Sequence, residues 1–482
     1  MKKLQTFQLA KFVQNCRYDM LDARIVDQLK RHLLDTVASI IFSIDQPTVQ
    51  KLFQQIQYIG ENGKCNVPVA GNTAIDRATQ LFTVLIRYPD FMDNFLGKEA
   101  TCHPSDNIGA LLAAADAEDA SGEDFLLAMA LAYEIECRLV EEIPVMIRGF
   151  DHTILLAYSV TAALSKMFSL DENQLAHALS IAGNSFNPLV ASRASYTYEW
   201  KGFASSMVAM GCTNSTLLAK HGITGPINIF EGPKGFKEVF NMELKYDWTK
   251  EDFSLIRQCI LKRYNSEVHT QSTLEAAWEL KQKHNFSPDE IENVDVTTFL
   301  TAYHIVGGGS YGDRSEVFSK EQADHSLPYV IAALLIDGDV YPNQFKPERI
   351  QQTDVQQLLK KVKVHTSSPL HKPLALAAIT DPYTQAYPKK LFSKVEITMK
   401  NKQKIKLEKE DYHGFYTRPF DWNDVILKFR RLTSNIPVTE QDKIIEIVMK
   451  IEKKNMRELI SSLVDLRPAK AASNKSGRVK EV

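Results

Sequence analysis

Between Lys201 and Lys220 the chain runs 18 residues, Gly202 to Ala219, without a charged side chain. So long an uncharged stretch has two homes, a lipid bilayer or the interior of a large protein. Ser205, Ser206, Thr213, Asn214, Ser215 and Thr216 decide between them, because they make the segment too polar for a lipid-facing helix. The expectation is a helix buried all round inside a large helical domain, with no membrane association.

A chain of 482 residues and 54.5 kDa can build such a domain and has room for a second. Its 57 Lys+Arg stand against 59 Asp+Glu, so composition predicts no basic face for nucleic acid. Cys16, Cys65, Cys102, Cys137, Cys212 and Cys259 are scattered and form no C-x-x-C. Neither a zinc knuckle, an iron–sulfur ligand run nor a disulfide framework is legible, so no metal or cofactor is expected. Met1 to Arg24 lacks an apolar signal region and no transit peptide is legible. The expected compartment is reducing, the cytoplasm, with the mitochondrial matrix as the alternative.

Up to about residue 260 the apolar spacing is helical. Ile25, Leu29, His32, Leu33, Val37 and Ile40 recur at three- and four-residue steps. Ser121-Gly-Glu-Asp124 and Asp171-Glu-Asn-Gln174 spell helix starts, and Asp106 is placed to cap the run Ile108–Ala115. After residue 285 the period becomes two: Val294, Val296, Thr298; Val362, Val364; Val395, Ile397, Met399. Val395–Met399 and Ile405–Leu407 read as a hairpin, and Lys320–Ile336 and Asp354–Lys361 as helices between strands. Gly307-Gly-Gly-Ser310 has no strand–helix cradle around it and reads as a loop rather than a phosphate site. The predicted fold is mainly α. A large all-helical domain covers 1–261, a smaller α+β lid 262–408, helices returning to the first domain 409–466, and a frayed tail 467–482.

Three polar clusters carry side chains that packing alone does not require. In Arg87-Tyr-Pro-Asp90-Phe-Met-Asp93, the two aspartates fall one helical turn apart and would share a face. Thr101-Cys-His103-Pro-Ser105-Asp106-Asn follows, with His103 in a Pro-stiffened turn before a helix N-terminus that favours anions. The second cluster is Gly149-Phe-Asp151-His152, where Asp151 is either an N-cap or a partner that tunes the histidine. The third is Arg193 with Tyr198-Glu-Trp-Lys201-Gly202. Lys201 there is either a snorkelling helix-end residue or a cation desolvated at a site.

These motifs, in this order, resemble the MmgE/PrpD family of 2-methylcitrate dehydratases and cis-aconitate decarboxylases. Phe230-Glu-Gly-Pro233, Lys262-Arg-Tyr-Asn-Ser-Glu-Val-His269 and Ala323-Asp-His-Ser-Leu-Pro-Tyr329 extend the likeness over nearly the whole chain. The resemblance implies a helical domain with an α+β lid, a homodimer, and a small tricarboxylate substrate. It implies Asp93 and His103 as active-site acid and histidine, Lys201 and Lys262 as cleft lysines, Tyr329 as a nearby hydroxyl, and Asp151 or His152 at one further point. Asp90 and Ser105, within the matching segments, are expected to bind substrate. Where decarboxylases carry a histidine, this chain has Glu267, which tilts the expectation towards dehydration; a carboxylate there can act as a base or hold Lys262.

Dehydrating a β-hydroxy tricarboxylate needs a base for a carbon-bound proton, an acid for the leaving hydroxyl, and cations for three carboxylates. Arg87, Arg193, Lys201 and Lys262 are the candidate cations, and the expected mechanism is metal-free. The alternatives are a cis-aconitate decarboxylase forming itaconate, a polyacid isomerase, or a non-catalytic helical scaffold.

Overall fold

The computed structural model describes residues 4–60, 62–97, 100–194, 197–368 and 379–466; the expected frayed tail, 467–482, lies outside them. The uncharged stretch forms the helix Ala204–Lys220. Two of its buried hydroxyls are satisfied locally, Thr213 and Thr216 donating to the carbonyls of Ala209 and Cys212 four residues back. The helix is not buried all round: Asn214 and Leu218 are exposed, on a stripe that Arg77 and Gln80 partly cover through Met210 and Met207. No helix among the described residues is long and apolar enough to cross a membrane.

This helix packs on Ile75–Arg87, which packs in turn on Ile108–Glu118. The second contact is close because Gly109 faces Thr83. A Cβ on Gly109 would lie 2.2 Å from Thr83 Oγ1 and 2.5 Å from its main-chain nitrogen. Both helices end at the candidate site, one at Arg87 and the other at the turn after His103. Ser121 and Asp171 cap the next helices as expected, Asp171 in a full capping box with Gln174. Asp106 does not cap: it lies inside the 3₁₀ turn Pro104–Asn107, where its carboxylate meets Arg87.

Two apolar clusters organise the chain. One collects residues from Leu9 to Leu261 and again from Phe420 to Leu463; the other collects Leu96, Ile260 and residues from Tyr264 to Phe415. The second surrounds a four-stranded sheet ordered Val362–Thr366, Ile291–Thr298, Ser393–Met399, Lys404–Lys409, its first pair parallel and the others antiparallel. Helices Gln271–His284 and Leu327–Asp337 pack against it. The periodicity placed one helix over Lys320–Ile336; the chain breaks it into Lys320–Ala323 and Leu327–Asp337, with Ser326 capping and Pro328 in the first turn of the second. The break brings His325 to the site with Asp324 buried behind it. The clusters are stitched where Asn94 and Ile260 exchange main-chain hydrogen bonds of 2.9 and 2.8 Å.

Gly109→Ala should therefore lower stability by about 1–3 kcal/mol, the usual cost of overpacking, read as a lower urea midpoint at unchanged m-value.

Candidate active site

Helix Ile75–Arg87 stops at Tyr88-Pro89, and Asp90 takes a left-handed φ of 55°. Such a conformation costs a non-glycine residue about 1–3 kcal/mol, and two lysines hold it in place. Lys262 Nζ donates to the Asp90 carbonyl at 2.8 Å and to Oδ1 at 3.0 Å, while Lys201 Nζ donates to Oδ2 at 2.7 Å. All three residues are buried. The turn also separates the two aspartates that were expected to share a face. Asp93 points the other way, accepting from His32 Nδ1 (2.7 Å), Tyr133 Oη (2.7 Å) and the Ser105 main-chain N–H (3.0 Å).

His103 starts the 3₁₀ turn that Pro104 pre-sets. Its Nδ1 lies 2.8 Å from the Asp93 carbonyl and 3.1 Å from Asn94 Nδ2; the shorter contact is to a group that accepts only, which places the proton on Nδ1 and the lone pair on Nε2. Asp93 thus builds the ground behind His103. Ser105 does the same through its main chain; its hydroxyl is fully buried and does not line the cavity.

His103 opens onto a cavity lined also by Arg87, Asp90, Asn94, His152, Arg193, Lys262, Glu267, Tyr311 and His325. His103 and His152 face each other with ring centroids 5.4 Å apart. Asp151 is both an N-cap, accepting from Thr153 N–H at 3.0 Å, and the partner of Arg193 Nε at 2.5 Å; His152, buried, is the member of that pair that lines the cavity. Glu267 does not bond Lys262. Its oxygens accept from His269, one from the ring Nδ1 at 2.7 Å and one from the main-chain N–H at 2.8 Å.

Besides Asp93 and Ser105, two further expected residues stand apart from this cavity. Tyr329 is buried in helix Leu327–Asp337 and its hydroxyl donates to the Gln344 carbonyl, so the cavity's tyrosine is Tyr311 instead. Lys201 sits behind Asp90, where Asp324 Oδ1 (3.1 Å) and His325 Nδ1 (3.0 Å) also approach its ammonium. Asp90, Asp324 and His325 offer ligand atoms within 4.8 Å of one another, a spacing a metal ion would accept. The lysine ammonium already approaches all three. His325 escaped the sequence reading, though Asp324-His325 repeats the Asp151-His152 spelling just ahead of a helix.

Burial governs the electrostatics. It pushes His103 well below the usual histidine value, with Arg87, Lys262 and His152 pressing the same way. It takes His152 to about 3 with Arg193's help, and lowers His325 together with Lys201 against the opposing pull of Asp324. Burial alone would raise Asp90, but Lys201, Lys262 and Arg87 hold it far down; Asp151 and Asp324 are held low in the same way by Arg193 and by Lys201 with Lys320. Burial lifts Asp106 to about 6 despite Arg87. All six cysteines are free and buried, and burial pushes the Cys102, Cys137 and Cys259 thiols up.

These shifts fix a pH dependence. The histidines bind protons more weakly folded than unfolded, so their contribution is intact above the unfolded value near 6.5 and is lost as pH falls below it. The depressed aspartates lose theirs only below the unfolded value near 4. The histidine share of stability should accordingly fall between about pH 6.5 and 5, while Asp106 and Glu136, whose buried carboxyls hold protons more tightly folded than unfolded, work in the opposite direction. His152→Asn should flatten that slope without moving the steeper loss below pH 4, as thermal denaturation across pH would record.

The MmgE/PrpD N-terminal domain model matches residues 7–249 and the MmgE/PrpD C-terminal domain model residues 264–453. A 2-methylcitrate dehydratase of Escherichia coli (strain K12) is 26% identical over 352 residues, 68% of this chain and 71% of that protein. The mitochondrial 2-methylcitrate dehydratase of Yarrowia lipolytica is 27% identical over 297 residues, 58% of this chain and 56% of the relative. An alkylcitrate dehydratase of a fungal species is 29% identical over 275 residues, 53% of each chain. The matched stretch thus spans little more than half the length of the last two. With both domain models matched in order along the chain, this protein belongs to the MmgE/PrpD family.

Proposed function

We propose that this chain is a hydro-lyase that removes water from a 2-methylcitrate-like tricarboxylate by acid–base catalysis, without a metal or organic cofactor. The observation that carries the reading is the convergence of His103, His152 and His325 with Arg87, Arg193 and Lys262 on one buried cavity. Neutral imidazoles can take a proton from carbon, and the cations can hold substrate carboxylates and the enolate-like charge that develops. The family relatives named as citrate-type dehydratases support the same class. Lys201 acts through Asp90 and Asp324, its ammonium standing where a metal would otherwise balance those carboxylates. The sheet-bearing unit, which contributes Lys262, Glu267, Tyr311 and His325, serves as the lid that excludes water.

The proposal extends to a homodimer in the cytoplasm or mitochondrial matrix. Ile147, Leu189, Tyr198 and Trp200, all close in sequence to site residues, are exposed apolar groups suited to cover by a second copy. Light scattering at twice the 54.5 kDa chain mass would support the dimer, and scattering at the single-chain mass would refute it.

Incubating the protein separately with methylcitrate, citrate and cis-aconitate, and following products by NMR, tests the reaction. Methylaconitate is the expected main product; itaconate from cis-aconitate at higher kcat/KM would assign a decarboxylase instead. His103→Ala should reduce kcat by about 10²–10⁴-fold, the range for a lost acid or base, with the fold retained. Activity should survive dialysis against EDTA, and loss restored by a divalent metal would overturn the metal-free mechanism. A non-catalytic scaffold would show no turnover and no thermal stabilisation by any polycarboxylate, against about 2.7 kcal/mol expected at 100-fold excess over Kd.

A further inference from the structure

Three imidazoles line the cavity, but they are not equivalent in what stands behind them. His103 gives its Nδ1 proton to a main-chain carbonyl, which carries no full charge to stabilise an imidazolium. His152 leaves Nδ1 buried without a partner, and its Nε2 is 3.8 Å from Asp151 Oδ1, a carboxylate already taken by Arg193, Thr153 and Ser192. His325 differs from both. Its Nδ1 lies 2.7 Å from Asp324 Oδ1, a contact that would be repulsive between two lone pairs. Lys201 Nζ lies 3.0 Å from the same nitrogen but also has Asp324 Oδ1 and Asp90 Oδ2 to donate to. The shorter contact, to the carboxylate, therefore places the proton on Nδ1 and leaves the Nε2 lone pair for the cavity. Asp324 is fully buried and cannot swing away, because Lys201 (3.1 Å) and Lys320 (3.1 Å) each hold one of its oxygens.

A buried carboxylate that fixes the tautomer of a histidine and stabilises its protonated form is the arrangement that makes imidazole an effective base. The main-chain break at 324–326, rather than the continuous helix that periodicity suggests, is what aims this pair at the cavity.

We propose that His325 is the general base that removes the carbon-bound proton, with Asp324 as its positioning residue; this rests on the dehydratase reading above. Nε2 takes the proton from the carbon beside a carboxylate, and the C–H electron pair becomes the double bond as the C–O bond breaks. The departing hydroxide takes a proton from an acid in the cavity and leaves as water. His325 then returns its proton to solvent and the acid takes one back, so the cycle closes with no oxidant, reductant or co-substrate. The groups around the ring are mixed in sign: Asp324, Asp90 (Oδ2 at 3.9 Å) and Glu267 favour its protonated form, while Lys201 opposes it, and Lys320 and Arg314 act on the Asp324 carboxylate behind it.

The test follows two reactions of one preparation in D2O by NMR: loss of water from methylcitrate, and exchange of the carbon-bound hydrogen with solvent. The wild-type protein should do both. His325→Gln should lose both by about 10²–10⁴-fold, while methylcitrate still raises its melting temperature. Asp324→Asn should keep part of the activity, and the acid limb of its kcat/KM profile should move to lower pH, because the ring has lost its anion and kept the lysines. A purely structural Asp324 would leave that limb in place. Exchange by His325→Gln at the wild-type rate would overturn the assignment while leaving the dehydratase reading intact. Should His325→Gln fail to fold, an unmoved acid limb in Asp324→Asn would overturn it instead. A wild-type protein that neither dehydrates nor exchanges methylcitrate would overturn the dehydratase reading, and the base assignment with it.

Discussion

Everything at the cavity leans on one buried charge cluster, Lys262–Asp90–Lys201–Asp324. It draws on both apolar clusters: Asp90 and Lys201 belong to the helical body, Lys262 to the junction, and Asp324 to the sheet-bearing unit. Burying such charges costs several kcal/mol per ion before any attraction is counted. The cluster can persist because the partners are close and each lysine makes more than one charge-assisted bond. Apolar residues of similar volume would often serve stability as well or better, so the cluster is weak evidence of selection for stability alone. Its evident effect is positional. It holds Asp90 in a left-handed turn, and that turn sends Asp93 backward to support His103.

Burial and nearby cations set the protonation of the rings. Burial disfavours imidazolium at His103, His152 and His325, and Arg87 with Lys262, Arg193, and Lys201 respectively press the same way, so all three rings are held towards the neutral form despite lying in a polar site. Neutral rings can accept protons, and which ring accepts best depends on what waits behind it. A carboxylate behind His325 and a carbonyl behind His103 divide two chemically identical side chains into different roles.

Much of this was legible in the sequence, and the parts that were not share a cause. The uncharged Gly202–Ala219 stretch and the change of period after residue 285 are local patterns, and local patterns predicted local structure. His103, His152, Arg87 and Arg193 stood out in polar clusters, Lys262 through the family resemblance, and the structure brings them to one cavity. Tyr329 and Tyr311 could not be told apart on such grounds. Tyr329 lies in a regular helix, yet its hydroxyl turns to Gln344; Tyr311 reaches the cavity from an irregular loop that folds back over helix Leu300–Val306, its N–H on the His304 carbonyl. Asp90 and Asp93 failed for a related reason. Their three-residue spacing implies a shared face only if the helix continues, and Pro89 ends it.

Charge accounting constrains what the cavity can hold. Among the residues lining it, the cations Arg87, Arg193 and Lys262 face the carboxylates Asp90 and Glu267, a surplus of one positive charge. Each cation already has an anionic partner: Asp106 for Arg87, Asp151 for Arg193, Asp90 for Lys262. A trianionic ligand would therefore be underneutralised unless protons or positive charge moved towards it. Protons have three places to land, because the neutral imidazoles lie on the same wall and an adjacent anion raises their affinity for protons. Asp106, lifted to about 6, is a further place for a proton, and protonating it would free the Arg87 guanidinium for a substrate carboxylate. On this view the neutral histidines serve a second end besides accepting a proton from carbon: they let one compact cavity adjust its charge to a polyanion without keeping a permanent excess of buried cations.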